Sequence, residues 1–198
     1  YFKLPPYAIA KYWNDMSAAA PNTEFIIYNI PQLAGVALTT GLLNEMMKNP
    51  MVVGVKNSSA PTQDIQMWRD EAIKQNREFV VFNGPDEQYI AGRVIGADGG
   101  IGANYNVALP LFKKLYAEFK AGNIEGARKA QNDIHKIRAA IRGTGTLIPA
   151  LKYVLELRGI PFGEAAFPMQ KLSEEQKAKL VSDLKKYPDI FSLDPIEF

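Results

Sequence analysis

The chain has 198 residues, 47% hydrophobic and 22% charged, which is enough apolar material for a packed core. It contains no cysteine, which excludes a disulfide framework and a thiolate metal site. Lys+Arg 23 against Asp+Glu 21 leaves +2, without the basic excess of a nucleic-acid binder, and no apolar run approaches the ~20 residues of a membrane span.

No basic-then-apolar signal peptide opens the chain, so a soluble, cytoplasmic protein is expected. The first residues are Tyr1-Phe2-Lys3-Leu4-Pro5-Pro6, without an initiator Met. This fits a processed terminus or the start of a fragment.

Residues 6–20 carry Ile9, Tyr12, Trp13 and Met16 at helical spacing, with Pro5-Pro6 at the start. The run Phe25-Ile26-Ile27-Tyr28-Asn29-Ile30-Pro31 is short and apolar, which predicts a strand buried on both faces. The pattern then repeats. Residues 39–49 read as a helix with Leu42, Leu43, Met46 and Met47 on one side, and residues 51–56 as a second strand. Residues 63–75 read as a helix with Ile65, Trp68, Ala72 and Ile73 inward, residues 79–84 as a third strand, and residues 86–95 as a helix. A fourth short strand and a glycine-rich loop fall over residues 98–104. From there only helices are predicted, over 109–121, 124–142, 145–158 and 173–186.

Strand ends fall near Tyr28, Lys56 and Gly84, 28 residues apart each time, and the fourth, near Gly102, follows after 18. That is a βα repeat, expected to form a parallel sheet covered by helices. Ligands bind at the carboxyl ends of such strands, whether the sheet is doubly wound or closed into a barrel.

Polar residues stand at those ends. Lys56 closes the apolar strand Val52-Val53-Gly54-Val55. Desolvation at such a place would free the amine lone pair, and a neutral amine condenses with a ketone to a Schiff base. A strand-end lysine that snorkels to solvent fits the same pattern. Tyr28 occupies the same level of the preceding strand, and strand neighbours lie about 5 Å apart. Its hydroxyl is a candidate for proton transfer at Lys56, or an ordinary core tyrosine. Asp86 and Glu87 follow Gly84 and suit either substrate hydroxyls or helix capping, with Asp86 as N-cap. The glycine-dense stretch 96–102 lacks the third glycine of a dinucleotide fingerprint. Close approach to a small ligand and a tight turn are its two readings. His135 is the only histidine and lies on a charged helix, so no His-based triad or zinc site is expected.

Tyr28-Asn29-Ile30-Pro31, Gly54-Val55-Lys56, and Gly84-x-Asp86-Glu87 followed by residues 96–102 occur in order. In these motifs the chain resembles the N-acetylneuraminate lyase / dihydrodipicolinate synthase family of pyruvate-dependent class I aldolases. The resemblance implies a (β/α)8 barrel with a C-terminal helical extension, usually a homotetramer, working without metal or organic cofactor. It implies that this chain carries about strands five to eight, with residues 1–122 as the C-terminal half of the barrel and 123–198 as the helical region. Lys56 would form the Schiff base with pyruvate or the sugar acid, and Tyr28 would be the proton shuttle. Ser58 falls where lyases commonly have a threonine. Gly84, Asp86, Glu87 and Gly102 would position the polyol tail, and Tyr1 would help complete the site. Leu33 stands where dihydrodipicolinate synthases carry an arginine, which is similar to neuraminate lyases, whereas Ala103 replaces a serine that many lyases have.

The activity implied is reversible cleavage of N-acetylneuraminate to N-acetylmannosamine and pyruvate. The alternatives are another pyruvate-dependent aldolase or synthase on the same scaffold, such as a 2-keto-3-deoxy sugar acid aldolase, and a catalytically silent paralogue. Four strands alone leave sheet edges unpaired. The 198 residues by themselves are therefore expected to be inactive and poorly soluble without the missing half.

Overall fold

The computed structural model describes residues 3–195; Tyr1 lies outside the described residues. The chain divides into two compact units, Tyr1–Gly102 and Ala103–Phe198.

The first unit is built as α1 (Pro6–Ala19), β1 (Phe25–Asn29), α2 (Pro31–Ala34), α3 (Thr40–Met46), β2 (Val52–Asn57), α4 (Gln63–Lys74), β3 (Val80–Asn83), α5 (Tyr89–Val94) and β4 (Gly99–Gly100). The four strands are parallel and lie in chain order. The βα period read from the sequence is therefore the period of the sheet.

Register divides the strands by parity. Ile27, Val55 and Val81 are aligned across β1, β2 and β3, and all are buried. They pack into one apolar core with Leu42, Leu43, Met46 and Met47 of the α3 region and with Ile65 and Trp68 of α4. The opposite face carries Ile26 and Tyr28, which are 44% and 50% exposed. This corrects the expectation that β1 is buried on both faces, because its continuous apolar run covers helices on one side only. Two helical faces also differ. Ile9 and Ala10 of α1 are buried while Tyr12 and Met16 are exposed, and Ile73 of α4 faces solvent.

The connections have identifiable locks. The Thr39 hydroxyl accepts the Leu42 N–H at 3.2 Å and caps α3. The Arg77 guanidinium, just before β3, donates to the carbonyls of Met47 at 2.6 Å and Val52 at 3.0 Å, so it ties the β2 entry to the β3 entry. In the glycine-rich stretch, Asp98 accepts from Arg69 of α4 at 2.6 Å and from the Val81 N–H at 2.7 Å. Gly96 ahead of it has φ 101°, and a Cβ there would meet the Arg69 side chain. The first part of that stretch is thus a tight, pinned turn. It enters a strand of only two residues, shorter than the sequence suggests.

The second unit is helical: α6 (Tyr105–Lys120), α7 (Ile124–Arg142), α8 (Leu147–Leu157) and α9 (Glu174–Leu184). Helix α6 begins four residues before the predicted start at 109. Pro110 lies inside it, and the backbone leaves helical geometry at Ala108 (φ −124°, ψ 25°), where the kink relieves the proline. The face of α7 made by Ala127, Ala130, Ile134, Ile137 and Ile141 is buried, while His135 is exposed as expected. Helix α9 opens with a capping box between Ser173 and Gln176. Among the described residues no helix is long and apolar enough to cross a membrane.

Candidate active site

Parity places the candidate residues. Tyr28, Lys56 and Phe82 are Cα partners in one row across β1, β2 and β3, on the face away from the helical core. Lys56 is partly buried there, with its Nζ 4.0 Å from the centroid of the Tyr28 ring. An ammonium at that distance is attracted by the ring face. The pairing expected from strand spacing is therefore present in the fold.

Partial burial opposes ionisation of the Tyr28 phenol, but hydrogen bonds with Ser58 and Lys56 and the nearby Lys56 charge outweigh it. The net effect holds the phenol below its ordinary value. A tyrosine so placed exchanges its proton more readily than a free one.

Ser58 follows β2 directly, and both its peptide groups are held. Its N–H donates to the Asn29 carbonyl at 2.8 Å, and its carbonyl accepts from the Gln32 side chain at 2.8 Å. Gly84 packs beside it. A Cβ on Gly84 would fall onto the Ser58 hydroxyl and 2.6 Å from the Asn57 carbonyl oxygen. Glycine is thus required at 84 by close approach of two strand ends.

Asp86 is 5% exposed. It does not cap α5 as expected: it begins a short 3-10 turn, Asp86–Gln88, whose N-cap is Pro85. Its carboxylate occupies the space where a Cβ of Gly102 would sit, and that Cβ would also lie 3.1 Å from the Gly84 carbonyl. Gly84, Asp86 and Gly102 therefore form one cluster beside the Lys56, Tyr28 and Ser58 group. Glu87 is exposed at the mouth of the same turn, and Leu33 on α2 is 80% exposed.

Sequence reasoning missed the row directly behind these residues. Asn29, Asn57 and Asn83 are Cα partners, each the last residue of its strand, and they are 4%, 0% and 0% exposed. Asn29 donates to the Asn57 side-chain oxygen at 2.8 Å and accepts the Leu38 N–H at 2.9 Å. The signal was visible as the recurring dipeptides Tyr28-Asn29, Lys56-Asn57 and Phe82-Asn83.

The sequence profile of the dihydrodipicolinate synthetase family matches residues 1–187. The chain belongs to this family. It is 47% identical over 194 residues to the N-acetylneuraminate lyase of Mediterraneibacter gnavus, covering 94% of the chain and 61% of that relative. Among solved structures, it superposes on a catalytic lysine mutant of the Ruminococcus gnavus sialic acid aldolase with a TM-score of 0.83 at 44% identity, covering 94% of this chain and 63% of that one. It matches the N-acetylneuraminate lyase from Fusobacterium nucleatum complexed with pyruvate with a TM-score of 0.84 at 27% identity, covering 94% and 61%. This family member thus spans about three fifths of the length of the curated lyase, and a parallel α/β sheet is common ground between the match and the fold described above.

Proposed function

We propose that the protein to which these residues belong is a Schiff-base aldolase that reversibly cleaves N-acetylneuraminate to N-acetylmannosamine and pyruvate. The observation that carries the reading is the Lys56 amine standing 4.0 Å from the Tyr28 ring at the carboxyl edge of a parallel sheet. The 47% identity to an N-acetylneuraminate lyase supports the substrate. In this reading the barrel half occupies residues 1–122 and the helical region 123–198. The chain supplies about strands five to eight of a (β/α)8 barrel in a cytoplasmic homotetramer.

The steps follow from the residues. The Lys56 amine attacks the C2 ketone, and water leaves to give an iminium. The Tyr28 phenolate takes the proton of the C4 hydroxyl as the C3–C4 bond breaks, releasing the aldehyde of N-acetylmannosamine. The electron pair of that bond moves onto C3 and is delocalised into the iminium, giving an enamine. Protonation at C3 and hydrolysis then release pyruvate and restore the amine. Ser58 holds the Tyr28 hydroxyl through the reaction. Asp86, Glu87, Gly84 and Gly102 receive the polyol tail, and Tyr1 helps complete the site. The exposed Leu33 supplies no charge for a second carboxylate, which favours a sugar acid over a dicarboxylate product.

Borohydride reduction of the full-length protein in the presence of pyruvate is the test. Covalent trapping on Lys56, with release of N-acetylmannosamine from N-acetylneuraminate, is expected. Absence of the adduct would overturn the aldolase reading and leave a silent paralogue. An adduct with cleavage of a 2-keto-3-deoxy sugar acid but not of N-acetylneuraminate would move the assignment to another aldolase of the family.

A further inference from the structure

The segment that carries Ser58 is held far more tightly than a loop at a strand end requires. Behind it, the fully buried Asn57 side-chain oxygen accepts three hydrogen bonds. They come from Asn29 at 2.8 Å, the Ser59 N–H at 3.0 Å and the Ser59 hydroxyl at 2.7 Å. The Asn57 side-chain nitrogen donates forward to the Pro61 carbonyl at 3.4 Å, and its backbone carbonyl accepts the Gly84 N–H at 2.7 Å. In front, Gln32 on α2 reaches across from the preceding strand connection and donates to the Ser58 carbonyl at 2.8 Å. A neutral amide suits position 57, because it accepts from three donors and donates to a carbonyl without burying a charge.

Resting on the proposed aldolase chemistry, we infer that Gln32 and Asn57 are positioning residues, which clamp residues 58 and 59 from opposite sides so that the Ser58 hydroxyl stays against the Tyr28 phenol. Neither residue touches the reacting atoms. Asn57 acts from the core side of the sheet and Gln32 from the solvent side. Their common object is the segment between Lys56 and α4. Among the described residues, the groups acting on Tyr28 are Lys56 from β2 and Ser58 from this clamped segment. Loosening the clamp therefore releases one of the two groups, Ser58 and Lys56, that hold the phenol below its ordinary value, and leaves Lys56 in its strand.

The test is ionisation of Tyr28 in the full-length protein, read by NMR with ring-labelled tyrosine and assigned with Tyr28→Phe. Gln32→Met keeps the length of an exposed side chain and removes the amide that donates to Ser58, an ordinary surface substitution for folding. The Tyr28 midpoint is expected to rise in Gln32→Met and to rise further in Asn57→Ala. In parallel, the ascending limb of kcat, which the Tyr28 phenolate sets, should move up and kcat should fall about tenfold with KM nearly unchanged, while borohydride trapping on Lys56 persists. An unmoved Tyr28 midpoint in Gln32→Met would refute the clamp. The titration needs no substrate, so it reports on the clamp even where the wild-type protein traps no pyruvate, the result that would refute the aldolase reading instead.

Discussion

Replacing Gly84 by alanine tests the close packing of the strand ends most directly. The added Cβ would lie 2.6 Å from the Asn57 carbonyl oxygen and 2.9 Å from the Ser58 Cα. Both are backbone atoms, so no side chain can swing aside. Ordinary contact begins at 3.4 Å, so the two strand ends must part by roughly 0.8 Å, enough to break the Gly84 N–H bond to that same carbonyl. Overpacking of this kind costs about 1–3 kcal/mol, and a lost buried hydrogen bond adds about 1 kcal/mol. The expected destabilisation is about 2–4 kcal/mol, a large share of the roughly 5–15 kcal/mol typical of a domain. Urea unfolding followed by tryptophan fluorescence measures it. The matched control is Gly41→Ala in α3, where a Cβ meets nothing within 4 Å and helix propensity favours alanine by about 1 kcal/mol. A Gly84→Ala protein within about 0.5 kcal/mol of wild type, the range of an ordinary surface substitution, would refute the argument. The two strand ends would then be further apart than described.

Other consequences can be measured in the same way. Ser58→Ala removes an interaction that favours the Tyr28 phenolate, so the Tyr28 midpoint and the ascending limb of activity that the phenolate sets should both rise. A depressed tyrosine contributes its full stability above the unfolded value of about 10, and that contribution is lost as pH falls through the folded value. Ser58→Ala should therefore leave stability at neutral pH unchanged through this route, and a shift of the limb downward would count against it. Trp68→Ala empties a site that is 2% exposed in the core of the first unit. It should cost about 3–5 kcal/mol in chemical unfolding, and a cost under 1 kcal/mol would contradict its packing. Ser173→Ala breaks the capping box of α9 and should cost about 1 kcal/mol, seen as a lower thermal midpoint.

Much of the first unit was legible in the sequence, for physical reasons. The apolar strand runs and the 28-residue spacing report a parallel sheet, because each strand must be buried on at least one face and each crossover needs a helix. Placing Tyr28 opposite Lys56 required only that period. What was not legible depended on partners distant in sequence. Helix α2 has four residues, too few to show a periodicity, yet it carries Gln32 to Ser58. Asp86 looked like an N-cap because its local sequence fits one, but its carboxylate lies in the space that Gly102 leaves open by lacking a Cβ. The run around Tyr28 is apolar throughout, so sequence alone could not tell which face of β1 stays open. The start of α6 was missed for the same reason: Pro110 argues locally against a helix running through it, and only packing shows that it does.

The parity of β2 also bears on how such a protein can change. Lys56 and Asn57 are neighbours in sequence but face opposite sides of the sheet. One residue inserted or deleted between Gly54 and Lys56, where the register with β1 is regular, would exchange them, sending an ammonium into the packed side and an amide into the open one. Length variation is therefore confined to the segments between strands and helices, such as the stretch between α1 and β1, where a change alters reach without reversing sidedness. Descendants of this chain can vary the reach of such connections, but from Gly54 onward they must keep the residues of this strand in step.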